Sequence, residues 1–446
     1  MCPGLPFAVH GLRGYNGLVE KHNMPLGPDV ELAPHLGWIR AQFPALAQEV
    51  YARPVVFLDG PGGTQVPQRV IDAVGDYLAR SNANTHGGFA TSRRTDSTIA
   101  EARQGMADLL GCDPDEIVFG PNMTTQAFSL SRAIERELTP GDEVIVTRLD
   151  HDANVAPWQA LEQRGVIVRV VDIDDKDCTL DMADLSRQIS TRTRFVAVGY
   201  ASNAVGTINE VAEVVRLAHA VGAWVFVDAV HYVPHGPIDV RALDCDFLAC
   251  SPYKFFAPHM GVLYGKRAHL TKLRPYKVRP ASDESPDRWE TGTQNHEGLA
   301  GVAAGIDYLA ELGRRVFPDA TERRTALLAA MEAIRRYERR LVERLIQGLL
   351  KIPGLTIYGI LDPARFAQRT PTVAVRLTGY TPQELTGYLG ERGMFTWAGN
   401  YYALNLSERL GVEASGGMLR LGLVHYNTEE EVERVVDALT QLPRRV

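Results

Sequence analysis

Apolar positions in this chain fall into short unbroken runs, separated by stretches at helical spacing. Trp224-Val225-Phe226-Val227 and Phe247-Leu248-Ala249-Cys250 are apolar on both faces. That is the pattern of strands covered on both sides of a parallel sheet. Runs at 116–120, 143–146, 166–171 and 195–198 repeat it, and a shorter run at 55–58 is expected to open the series. Helices are predicted over 66–80, 95–110, 126–137, 181–189 and 210–221. Strand–helix alternation of this kind predicts an α/β fold with a mostly parallel, doubly wound sheet. Beyond it come helices at 298–312 and 320–350. Strands at 372–377 and 418–423 follow, with a helix starting at Thr381-Pro382-Gln383-Glu384 between them and a last helix after them. These form a small α+β unit. The expected division is an N-terminal arm and interrupted helix in 1–54, a large domain in 55–295 and a small C-terminal domain in 296–446.

Two of the strands end on chemically useful residues. The first runs into Asp228, and the second leads through Ser251-Pro252-Tyr253 to Lys254. In open α/β sheets, ligands bind at the C-terminal ends of strands. A lysine that can hold an aldehyde, paired with an acid that can protonate a pyridine nitrogen, matches the needs of pyridoxal 5'-phosphate. Tyr253, Phe255 and Phe256 around the lysine favour its neutral, nucleophilic amine. Strand, polar turn and helix start at Phe119-Gly120-Pro121-Asn122-Met123-Thr124-Thr125 suit a phosphate, although both threonines also suit a helix cap.

VDAVH followed by SPYKFF resembles the class V aminotransferase group, which contains the cysteine desulfurases. The likeness runs from about Phe57 to the C-terminus. It implies a fold-type I, pyridoxal-phosphate-dependent enzyme with Lys254, Asp228 and His151 as catalytic residues. DHDAN is similar to the family's EHHAN, which implies that His151 stacks on the cofactor ring. Asn203 matches the asparagine of SNxxG beside the ring hydroxyl, with His231 where desulfurases carry glutamine. Thr124, Thr125 and Ser251 are implied phosphate contacts. Thr293, in a segment similar to FEAGTPN, is implied to reach the phosphate of a second subunit, hence a homodimer with shared sites. Arg420 matches the arginine that clamps the substrate α-carboxylate, a group suited to bidentate guanidinium contact.

The chain also departs from the desulfurase pattern. Tyr253 replaces the histidine before the lysine. In the loop RTGHHCA, Trp397 stands for the arginine and Tyr402 for the cysteine that takes up sulfur. A phenol carries no persulfide. The expected reaction is therefore C–S cleavage by β-elimination from cysteine or an S-substituted cysteine. Transamination and epimerisation are the alternatives. A ligand-binding protein without turnover is disfavoured by the retention of Lys254, Asp228, His151 and Arg420.

Composition narrows the rest. A formal net charge of -7 over 446 residues provides no basic footprint for nucleic acid. The twelve histidines show no metal-ligand spacing. No apolar run reaches the ~20 residues of a membrane span. The five cysteines, Cys2, Cys112, Cys178, Cys245 and Cys250, are odd in number and lack CxxC. Reduced thiols in a cytoplasmic protein fit that pattern. The expected partner is a small amino acid.

Overall fold

The computed structural model describes residues 30–445. The arm expected at the N-terminus, and Cys2 within it, lie outside the described residues. Seven strands form the central sheet: β1 Ile117–Gly120, β2 Glu143–Thr147, β3 Ile167–Val171, β4 Thr193–Gly199, β5 Trp224–Asp228, β6 Phe247–Cys250 and β7 Gly261–Gly265. Their order is β1-β7-β6-β5-β4-β2-β3. Only β7 runs against its neighbours, so the sheet is mostly parallel, as the apolar runs predict. β7 escapes a pattern search because GVLYG is short and bracketed by glycines.

Alternate residues of the inner strands enter separate cores. Val225 and Val227 face one, Phe226 the other. Leu248 and Cys250 share the first, Phe247 and Ala249 the second. Burying each large apolar side chain contributes roughly 1.5–3 kcal/mol, which is why these strands need apolar residues on both faces. The chain moves outward from β2 to β3, then jumps back past β2 to β4 before continuing to β5 and β6. That reversal leaves a crevice at the strand C-termini between β2 and β4.

A second sheet of four antiparallel strands lies in the C-terminal part: β8 Leu355–Tyr358, β9 Thr372–Leu377, β10 Trp397–Gly399 and β11 Met418–Gly422, in the order β8-β9-β11-β10. The run at 55–58 does not open the large sheet. Val56–Phe57 pairs in parallel with Met394–Phe395, because an apolar run specifies burial but not its partner. The turn that follows is drawn to the second sheet: the Gly422 N–H donates to Leu58 O at 2.8 Å. A side chain at Gly422 would strike Pro61 at 1.9 Å. The interrupted N-terminal helix is reduced to Leu36–Ala41, flanked by 3-10 turns that start at or next to Pro34 and Pro44. His296–Val316 and Arg323–Leu349 pair as long helices, and the first still packs on the large unit, with Ile306 against Gly105. Among the described residues no helix is long and apolar enough to cross a membrane.

Candidate active site

Lys254 closes the 3-10 turn Pro252–Lys254 directly after β6, and Asp228 is the last residue of β5. Asp228 pairs with Ala249 across the two strands, so acid and lysine emerge from adjacent strand ends. Both are buried. Lys254 Nζ donates to Pro61 O at 2.5 Å. Thr64 ties the same turn down, since its N–H donates to Tyr253 O and its hydroxyl accepts the Phe256 N–H at 2.9 Å. The turn at 60–64, held against the second sheet, therefore caps the lysine.

Burial drops the Lys254 ammonium to about 7, and the nearby Arg420 cation adds to the fall against the pull of Asp228. Burial raises the Asp228 carboxyl to about 6, opposed by the Val230 N–H at 2.9 Å and by Lys254. A second carboxyl, Asp150, lies beneath the site. It accepts the Gly199 N–H at 2.8 Å and Asn154 Nδ2 at 3.0 Å, and Asn154 in turn accepts Trp158 Nε1. Burial, then the charge of Asp228, lifts it to about 8. At neutral pH, Asp228 is thus the ionised member of the pair. Asp150 was not assigned from sequence; its position beside His151 at a strand end was the available signal.

His151 follows β2 and accepts the Ala153 N–H through Nδ1 at 3.0 Å. Burial, Lys254 and Arg420 lower it to about 4, so the ring is neutral. Asn203 donates to Tyr401 O at 2.8 Å, and Arg420 donates to Asn203 O at 2.8 Å. His231 Nε2 lies 3.1 Å from the hydroxyls of both Thr370 and Thr372. Burial first, then His235, Lys254 and Arg420, hold His231 neutral. Asn203 Oδ1 and His231 Nδ1 are buried without a protein partner.

These groups surround a cavity of about 90 Å³. Lys254, Asp228, His151, Asn203, His231, Ser251 and Thr124 all line it, together with Tyr253, Asp150 and Asn122. Part of its wall is the start of the twelve-residue helix Met123–Ile134, where the first N–H groups have no earlier turn to donate to and could hold a phosphate. Thr125 does not line the cavity, and its N–H is taken by the Asn122 cap at 2.8 Å. Thr293 is exposed and outside this cavity. Arg420 adjoins it from β11, buried, with its guanidinium 4.2 Å from the Tyr401 ring centre.

The residues fit pyridoxal 5'-phosphate. They supply a neutralisable lysine, an ionised acid, a helix start suited to a phosphate, and two buried polar atoms without a protein partner on residues that line the space. Bound to this lysine, the cofactor supplies an electron sink that acidifies the α-proton of an amino acid.

Comparison with known proteins agrees with the geometry. The Aminotransferase class-V family model matches residues 56–435. A cysteine desulfurase of Pectobacterium atrosepticum is 34% identical over 424 residues, covering 91% of this chain and 97% of that one. One from Dickeya dadantii is 33% identical over 423 residues, covering 91% and 96%. Among solved structures, the apo cysteine desulfurase of Thermococcus onnurineus matches with a TM-score of 0.79 at 27% identity, over 87% of this chain and 94% of that one. The cysteine desulfurase CsdA of Escherichia coli matches with 0.77 at 28% identity, over 90% and 97%.

Proposed function

The chain belongs to the class V aminotransferase family as a cysteine desulfurase-like, pyridoxal-phosphate-dependent enzyme, and on that footing we propose that it cleaves the Cβ–S bond of cysteine or an S-substituted cysteine by β-elimination. No protein persulfide takes part. Arg420 holds the α-carboxylate, His151 covers the reacting face and Lys254 removes the α-proton. The sulfur then leaves as sulfide or thiol. With one water consumed, the remaining carbon skeleton becomes pyruvate and ammonia, so atoms balance without an added oxidant or reductant.

The observation that carries this reading is the state of the four thiols among the described residues. Cys178, Cys245 and Cys250 are buried and Cys112 is half-buried, and burial raises all four thiols. Thiols held protonated are poor nucleophiles. In the loop at 397–403, Tyr402 takes the position expected for a sulfur-accepting cysteine. Free thiols also suit a reducing, cytoplasmic setting.

Product analysis tests the proposal. Incubation with cysteine should release sulfide, pyruvate and ammonia in equal amounts, and thiol-trapping mass spectrometry should find no persulfide. Alanine together with a persulfide on any cysteine would overturn it. A keto acid that keeps the whole side chain would select transamination, and a racemised amino acid epimerisation.

The same reading makes the enzyme a homodimer in which Thr293 completes the neighbouring subunit's phosphate site. Support comes from the exposure of Thr293 and from the exposed Ile71 and Leu78 on the helix Gln68–Arg80. That helix packs beside His296 through Tyr77. Sedimentation should find a dimer at working concentration, and Thr293→Ala should weaken cofactor retention. A fully active monomer would remove the assignment.

A further inference from the structure

Two aromatic side chains with half or more of their surface in water stand beside groups of the site, Trp397 across the strands from Arg420 and Tyr402 on His151. Trp397 is 53% exposed and Tyr402 72%. Their exposure alone would be ordinary; what sets them apart is that both contact or face residues of the site.

Trp397 is aimed by the second sheet. It sits on β10 directly opposite Arg420 on β11. Residues paired across antiparallel strands project on the same face, so the indole stands on the same side as the guanidinium. Its Nε1 edge lies against the turn that caps the lysine, since a Cβ at Gly62 would meet it at 2.7 Å. Tyr402 approaches from the other side, stacked on His151 with ring centres 5.3 Å apart and planes 26° apart. It is held there by strained backbone. Tyr401 and Tyr402 have φ of 58° and 60°, the left-handed region that bulky residues avoid. Such outliers cluster where ligands are clamped. The turn is pinned by Asn400 Oδ1, which accepts the Tyr402 N–H at 3.0 Å, and by Tyr402 O, which accepts the Asp152 N–H at 2.7 Å.

We propose that Trp397 and Tyr402 form a specificity site for an aromatic or apolar substituent on the substrate sulfur, so that the preferred substrate is an S-aryl or S-aralkyl cysteine rather than cysteine itself. This rests on the elimination reading for its choice of amino acid. A carboxylate on Arg420 directs the rest of the molecule past the two rings. A cationic substituent is disfavoured because the Arg420 guanidinium, opposite Trp397, already brings positive charge there. An aromatic one gains apolar burial and offset stacking.

The test uses holoenzyme and two amino acids with no leaving group on Cβ. Homophenylalanine has the shape of S-phenylcysteine and 2-aminobutyrate that of cysteine. Binding is read from the cofactor absorbance, independently of turnover. Homophenylalanine should half-saturate at about tenfold lower concentration than 2-aminobutyrate. Trp397→Ala should bring the two half-saturation values together, with homophenylalanine losing far more than 2-aminobutyrate, and Trp397→Phe should keep most of the advantage. Equal affinities in the native enzyme, or an advantage untouched by Trp397→Ala, would overturn the specificity site. If the advantage is present but neither S-phenylcysteine nor cysteine yields pyruvate, the site stands and the elimination reading falls.

Discussion

Lys254→Ala will carry no cofactor-derived group after borohydride reduction, and amino-acid turnover will fall by about 10³-fold or more. Peptide mapping of the native enzyme will find that group on Lys254 alone. The magnitude follows from the two roles proposed for the side chain, attaching the cofactor and moving the α-proton, since positioned proton transfer by itself contributes ~10²–10⁴-fold. The lowered lysine adds a pH signature. An amine that titrates near 7 is free in roughly a tenth of molecules at pH 6 and roughly nine-tenths at pH 8. Capture of added cofactor by the apoprotein, followed by visible absorbance, will therefore speed up as pH rises through about 7 and slow as it falls. An ordinary lysine would still be gaining rate well above pH 9. A reduced group on any other lysine would end the assignment.

Asp228→Asn will keep its cofactor and lose its chemistry. Exchange of the substrate α-proton, followed by NMR in deuterated water, will slow by about 10²–10³-fold, the usual effect of removing one fixed electrostatic partner from a buried site. Retention is expected because the start of the helix at Met123–Ile134 and Lys254, as proposed, would hold the cofactor from other directions. Asp150 will not rescue the variant: burial, the larger cause of its raised carboxyl, remains when the Asp228 charge is gone, and it is engaged by Gly199 and Asn154. Exchange at the native rate would show that the carboxylate of Asp228 is not needed.

The sequence alone determined the α/β class, the identity of β5 and β6, and the pairing of an acid with a lysine at their ends. Those features are local. Strands buried on both faces must be apolar throughout, and the residue that ends such a run sits at the sheet edge whatever else the chain does. His151, Asn203, His231 and Arg420 were legible only through motif resemblance, because a lone polar residue after a strand has no periodicity to expose it.

Tertiary structure decided what depends on partners distant in the chain. Val56–Phe57 joined Met394–Phe395 rather than the central sheet, since hydrophobicity rewards burial without naming the neighbour. The turn at Pro61 reads as a simple turn until folding brings it onto Lys254, 193 residues away. Asp150 became a site residue only because folding set it beside Asp228, where burial and like charge force one of the two to keep its proton. Trp397 and Tyr402 in sequence merely replace an arginine and a cysteine. It took the cross-strand register with Arg420 and the stacking on His151 to set both beside residues of the site. Side-chain direction in a sheet and the reach of a strained turn are set by long-range pairing, and no local pattern encodes them.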